Sequence, residues 1–204
     1  MTSRTYTAIV VAGDALVAGH GDGRGLGWTG RIAARTLPSL PGAQFYSLGI
    51  HGEDTQTFAA RVLPEAKLRF SEETENRLVL APGWFDAVAG MSAARSRLNL
   101  ANVLDAALSL EVSTFVVGPT PTIDQDLNRR IGELSASFSD VALRRGVPYV
   151  DAFTPLQTHP VWQRELAASR DGLPSQEGYG LIAWLVLHRG WYDWLGVTDV
   201  LGDN

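Results

Sequence analysis

Three points in the sequence place an acid or an imidazole beside a glycine: Gly13-Asp14-Ala15, Gly49-Ile50-His51-Gly52-Glu53-Asp54 and Gly83-Trp84-Phe85-Asp86. Such pairs suit proton-transfer chemistry, because the side chain carries a proton while the glycine permits positive φ and close backbone approach to a ligand. A helix that starts just after such a turn exposes N–H groups toward an anion, so together the three turns read as an oxyanion-binding rim. His51 sits directly before Gly52, where an imidazole can serve as acid or base. Each of these residues also has a plainer role open to it. Asp14 and Asp86 are loop acids of the kind that accept hydrogen bonds from nearby backbone N–H groups, and His51 can be an ordinary exposed loop histidine. His159 and His188 read as surface residues. No His-x-x-His, His-Glu-x-x-His or carboxylate cluster offers metal-ligand spacing, so neither a metal nor a cofactor is expected.

The elements that position these turns follow from hydrophobic spacing. Short apolar, β-branched runs at residues 5–12, 45–50, 77–81, 114–117 and 148–153 predict five strands. Between them the spacing turns helical, with Leu100, Val103, Leu104, Ala107 and Leu108 in one segment and Leu127, Ile131, Leu134, Phe138 and Val141 in the next. Strands alternating with amphipathic helices predict a parallel sheet covered on both faces, a three-layer α/β/α sandwich with right-handed crossovers. In such a sheet ligands bind beyond the carboxyl ends of the strands, which is where the three glycine turns fall. The stretch 179–195, with Trp184, Trp191 and Trp194, predicts a last helix packed on the sheet. The glycine-rich run 21–27 comes too late after the first strand for a dinucleotide turn and reads as a flexible surface loop. Residues 119–121 and 154–160 read as loops.

Composition narrows the function classes. A chain of 204 residues that is 45% hydrophobic can bury a full core, so one domain, residues 1–204, is expected. A formal net charge of -5 leaves no basic stripe for a phosphate backbone, which makes nucleic acid an unsuitable partner and leaves a small-molecule substrate or ligand, or a protein. The absence of cysteine removes thiolate nucleophiles and disulfides. No long apolar segment follows Met1-Thr2-Ser3-Arg4 or occurs elsewhere, so no membrane span is expected and the location expected is cytoplasmic.

The segment VVAGDALVAGHGDGRG resembles the first conserved block of the SGNH (GDSL-type) hydrolases, in which a Gly-Asp-Ser-Leu turn presents the nucleophilic serine. The resemblance puts Ala15 at that serine. SLGIHGEDT is similar to the second block, whose glycine N–H binds the oxyanion and which falls on Gly52. LAPGWFDAV is similar to the Gly-x-Asn-Asp block, with Phe85 at the asparagine and Asp86 kept. RDGLPSQEGYG resembles the Asp-x-x-His-Pro block, but runs from Asp171 and Gly172 through Leu173 to Pro174, one residue short and without the histidine. GPTPTIDQDLNRRI and VPYVDAF resemble connecting segments of actinobacterial-type members, so the likeness spans nearly the whole chain. It implies the flavodoxin-like SGNH hydrolase fold.

The resemblance also implies that the acyl-enzyme route is closed. Alanine has no hydroxyl, phenylalanine offers no N–H donor, and leucine cannot accept a proton. An engineered serine-to-alanine change would account for Ala15 alone and not for the other two departures. The lost side-chain donor is worth about 3 kcal/mol in such sites. Of the groups that remain, Asp171, His51 and Asp14 are the expected catalytic set, with Ala15, Gly52, Glu53, Trp84, Phe85, Asp86 and Leu173 lining the binding site and Asp171 also able to cap the turn before the last helix. An aromatic pair at the mouth predicts an apolar or planar ligand. The function expected is a non-hydrolytic step of cyclase, isomerase or lyase type. The competing expectations are a non-catalytic ligand-binding or regulatory subunit, and an esterase knocked out at Ala15.

Overall fold

The computed structural model describes residues 6–202. Thr5, at the start of the expected first strand, and residues 1–4 lie outside them. Five strands, β1 (Tyr6–Gly13), β2 (Ala43–Gly49), β3 (Thr74–Ala81), β4 (Ser113–Val117) and β5 (Tyr149–Val150), form one sheet in the order β2-β1-β3-β4-β5. All four pairings are parallel, and helices cover both faces, which gives the expected three layers.

The apolar runs are continuous because both faces are buried. Ile9 and Val11 of β1 pack with Trp28 and Ile32 of α1 (Gly27–Thr36) and with Tyr179 and Ile182 of α8 (Gln176–Val186). Val10 and Ala12 point the other way, toward Phe58 and Val62 of α2 (Thr55–Lys67), Leu100 and Leu104 of α4 (Ala93–Ser109) and Phe138 of α5 (Gln125–Leu143). Because α1 and α2 lie on opposite faces, the chain leaves β1 and β2 in opposite directions, and a crevice opens at the carboxyl end of β1. The register brings the strand ends level there, with Gly13 opposite Gly49 on one side and Ala81 on the other. The three glycine turns noted in the sequence are therefore neighbours.

An ion pair holds that edge together. Glu53 takes Arg61 of α2 in a two-point grip, at 2.6 Å from Nε and 2.5 Å from Nη2. Nη2 also donates to the carbonyl oxygens of Gly13 and Leu48, both at 3.2 Å. These carbonyls sit at the ends of β1 and β2, and the guanidinium ties them together.

Several elements differ from the sequence reading. The fifth strand has two residues, not six, because Asp151 accepts the N–H groups of Phe153 and Thr154 and turns the chain into α6 (Phe153–Gln157). The expected loop 154–160 is thus largely helical, and Pro160 opens α7 (Pro160–Ala168) at a position where its missing N–H is not needed. The glycine-rich run 21–27 is not a loose loop. The buried Asp22 carboxylate accepts from Arg24 N at 3.0 Å and Gly27 N at 2.9 Å and pairs with Arg31. Burial alone would raise its pKa, but Arg31 and the two N–H groups hold it below the ordinary carboxylate value. The stretch 179–195 is not one helix. Gly190, at φ +88°, breaks it into α8, a kinked turn (Leu187–Trp191) and α9 (Tyr192–Leu195), while the short α3 (Phe85–Ala89) follows β3. Trp191 is buried and donates from Nε1 to Thr36 Oγ1 at 2.9 Å, whereas Trp184 stands 54% exposed. No helix among the described residues is long and apolar enough to cross a membrane.

Removing one member of a buried ion pair leaves the other charge uncompensated, at a cost of about 3 kcal/mol or more. Arg61→Ala is expected to lower the unfolding free energy by that order in urea titrations. Arg129→Ala, which breaks a pair with Asp126 whose side chains are 73% and 80% exposed, should change it by less than about 1 kcal/mol.

Candidate functional site

At the carboxyl end of β1 the chain encloses a cavity of about 50 Å³ lined by Asp14, Ala15, His51, Gly52, Trp84, Phe85 and Leu173. Ala15 is buried at its base. Gly52 has φ +72°, a conformation that favours glycine, and the Phe85 ring lies 3.7 Å from where a Cβ on Gly52 would stand. Among the described residues, neither the Ala15 N–H nor the Gly52 N–H donates to another part of the chain. Two backbone donors without partners beside a cavity form a place for an oxyanion.

Asp14 is the carboxylic acid that lines this cavity. Its Oδ1 accepts from Leu16 N at 2.9 Å, and its carboxylate lies so close to Gly83 that a Cβ there would overlap Oδ2. Burial pushes its pKa up to about 6, against the opposing pull of the Leu16 N–H and of His51. A second space of about 20 Å³, lined in part by Trp28, Thr120 and Ile182, touches the same carboxylate from the inner side. Across the cavity His51 is exposed, and its ring stacks on His20 with centroids 5.9 Å apart and planes inclined by 28°.

The family model for GDSL-like lipases and acylhydrolases matches residues 11–181. The chain belongs to this family. Among solved structures, it is similar to the lipase/acylhydrolase from Enterococcus faecalis, at 23% identity and TM-score 0.73, with 95% of this chain and 98% of that one covered. It is also similar to the esterase EstA from Pseudoalteromonas sp., at 15% identity and TM-score 0.69, covering 93% and 99% of the two chains. A catalytic mutant of Axe2, an acetylxylan esterase from Geobacillus stearothermophilus, matches at 16% identity and TM-score 0.71, covering 95% and 98%. At these identities the likeness is one of fold. No curated protein matches the chain in sequence.

In this GDSL-family chain, the sequence-derived site residues divide into two groups. Asp14, Ala15, His51, Gly52, Trp84, Phe85 and Leu173 meet around one cavity. Asp86, Glu53 and Asp171 do not join them. Asp86 is buried and accepts from Thr55 N at 2.7 Å and Thr55 Oγ1 at 2.6 Å, while Asn99 Nδ2 donates to the same hydroxyl at 2.9 Å. Both of its oxygens are spent on anchoring the start of α2. Glu53 is spent on Arg61. Asp171 is exposed in the turn where Gly172 takes φ +67°, and Leu173, two residues on, is the one that faces the cavity. The turn before α8 is organised by Glu165, which accepts the N–H groups of Ser175, Glu177 and Gly178. His20, a further candidate among the polar groups left in the first block, is brought beside His51 by the fold. Its only signal was a glycine on each side within the first block.

Asp14 holds its proton more tightly in the folded chain, at about 6, than at the ordinary value of 3.8. Between those values the native state carries the extra proton, so stability falls as pH rises through this window and stays lower above it. Asp14→Asn keeps the acceptor for Leu16 N and cannot ionise. It should therefore gain stability over the unmodified chain, on the order of 2–3 kcal/mol, between pH 4 and pH 7. Urea unfolding at the two pH values measures this, and a difference that does not change with pH would contradict the assignment.

Proposed function

We propose that this chain uses the hydrolase fold for proton transfer at a carbon beside a carbonyl, in an isomerisation, cyclisation or elimination, and not for ester hydrolysis. One observation carries the reading: a single cavity holds a carboxyl titrating near 6, an imidazole and two unpartnered N–H groups, with Ala15 where the resemblance expects the serine. Phe85 and Leu173 occupy the walls where that resemblance expects an amide donor and a histidine base.

The chemistry follows from the parts. A ligand carbonyl oxygen at the Ala15 and Gly52 N–H groups is polarised, which acidifies the neighbouring C–H. Asp14 as carboxylate takes that proton, the C–H electron pair forms the enolate C=C, and the negative charge rests on the oxygen held by the two N–H groups. In a ligand whose enolate is conjugated with a further C=C, return of that proton from Asp14 to the far carbon, or of one from His51 that the Asp14 proton then replaces, shifts the double bond and completes an isomerisation with atoms and charge balanced. At about 50 Å³ the cavity takes only a carbonyl and its nearest substituents, and the Trp84 and Phe85 rings give that end apolar, flat walls. The remainder of the ligand lies outside.

A second reading has support from the similar solved structures, which are described as esterases. In it Asp14 activates a water that attacks an ester directly. A third reading makes the cavity a ligand-binding site without turnover.

Incorporation of solvent deuterium into small ketones and 1,3-dicarbonyl compounds, followed by NMR, separates the three. Exchange is expected, rising with pH through about 6 as Asp14 ionises. Asp14→Asn should lower it by about 100-fold or more and His51→Gln by about 10-fold. Ala15→Ser should not produce hydrolysis of chromogenic acyl esters. Ester turnover by the unmodified chain, with no exchange, would establish the water-attack reading. Binding without either reaction would establish the third.

A further inference from the structure

A larger groove lies away from this cavity, on the outer side of the molecule between α1 and α8. It measures about 500 Å³, inside the range of about 300–1,000 Å³ usual for small-molecule sites. Arg31 and Arg35 of α1 line one wall, and Gly180, Ala183 and Trp184 of α8, with His188 of the following turn, line the other. We propose that this groove is a binding site for a planar aromatic carboxylate, distinct from the cavity at Ala15 and independent of the reaction assigned to it.

The cationic wall is built and held in place. Arg31 and Arg35 are four residues apart and so share one face of α1. Arg31 is fastened through Nη1 to Asp22 and to the Gly27 carbonyl at 2.6 Å. Arg35 is fastened through Nη2 to Asp199 at 3.3 Å and to the Gly202 carbonyl at 2.7 Å. Both contacts of Arg31 run through Nη1, so its Nε and Nη2 edge makes no bond to the described residues, and the side chain is partly exposed at the groove. A carboxylate, which meets a guanidinium with two parallel bonds, is the group that fits such a fork.

The opposite wall supplies a flat apolar surface. Trp184 is 54% exposed on a helix whose neighbouring residues Ile182, Ala183, Leu185 and Val186 are buried. Its ring is backed by His188, with centroids 4.3 Å apart and planes inclined by 22°, and the His188 ring is itself fixed by a 2.7 Å bond from Nδ1 to the Trp184 carbonyl. An indole fixed in this way offers a stacking face at little entropic cost. Gly180, one turn earlier on the same face, adds a separate observation. Glycine weakens a helix interior, yet a Cβ at Gly180 would meet nothing within 4 Å and its φ is not positive. Neither packing nor backbone geometry calls for glycine there, and its effect is to leave the floor beside Trp184 open.

Calorimetric titration of the whole chain with 2-naphthoate tests the proposal, with 2-naphthamide and cyclohexanecarboxylate as controls for charge and planarity. Naphthoate should bind and the two controls should bind at least about tenfold more weakly. Trp184→Ala and Arg31→Lys, which keeps a charge toward Asp22 but removes the two-point fork, should each weaken naphthoate by a similar factor. Gly180→Leu fills the open floor without a backbone conflict, and should abolish binding while leaving the circular dichroism and unfolding midpoint intact. Asp14→Asn should leave the affinity unchanged, which separates this groove from the cavity. Binding that survives Gly180→Leu, or that is equal for the amide, would overturn the proposal. So would sedimentation showing self-association that Trp184→Glu abolishes with no naphthoate binding, because the groove would then be a contact between copies of the chain.

Discussion

The burial of β1 on both faces and its pairing on both edges is the constraint on which the remaining architecture rests. A strand with no free face and no free edge can place polar chemistry only at its ends. At the carboxyl end, helices leaving to opposite sides open the crevice, and the Arg61 guanidinium binds the carbonyls of Gly13 and Leu48 so that the rim keeps its shape. The cost of burying that charge is offset by Glu53, which takes two of its N–H groups. Asp14, one residue beyond the strand, is held by the turn that follows, through Leu16 N on its carboxylate and Val17 N and Ala18 N on its carbonyl.

Four acids of similar sequence context end with different chemistry because their surroundings differ. Asp14 accepts few hydrogen bonds and sits against Gly83, so desolvation prevails and its pKa rises to about 6. Asp22 is also buried, but a guanidinium and two N–H groups outweigh the desolvation. Asp86 gives both oxygens to Thr55, and Glu53 gives both to Arg61. Of the four, Asp14 is the one that lines the cavity, and its oxygens are not taken up by a residue of another element.

The same helix carries two unrelated surfaces. Tyr179 and Ile182 of α8 are buried against the sheet, and Tyr179 donates its hydroxyl to the His20 carbonyl, linking α8 to the turn at the cavity. Trp184 faces the other way beside Arg31 and Arg35. Arg31 belongs to both regions, because the Asp22 it holds fastens the glycine-rich loop that follows the first turn.

Periodicity alone was enough for the five parallel strands, the two-sided cover of helices and the location of the crevice, because burial on two faces writes itself into short apolar runs separated by amphipathic segments. The family blocks pointed to Ala15, Gly52, Phe85 and Leu173, and the fold brings these four together. What the sequence could not decide was where each acid spends its oxygens. Asp14, Asp86 and Glu53 all stand beside glycine turns, yet their partners, Leu16 aside, come from residues in other elements, such as Thr55 and Arg61. The outward turn of Trp184 and the break at Gly190 were equally hidden, since a run of apolar and aromatic residues looks the same whether its rings enter the core or line a surface groove. Local spacing fixes which residues share a face of an element. Which of those faces finds a neighbour, and which carboxyl is left without one, is settled only when distant segments pack.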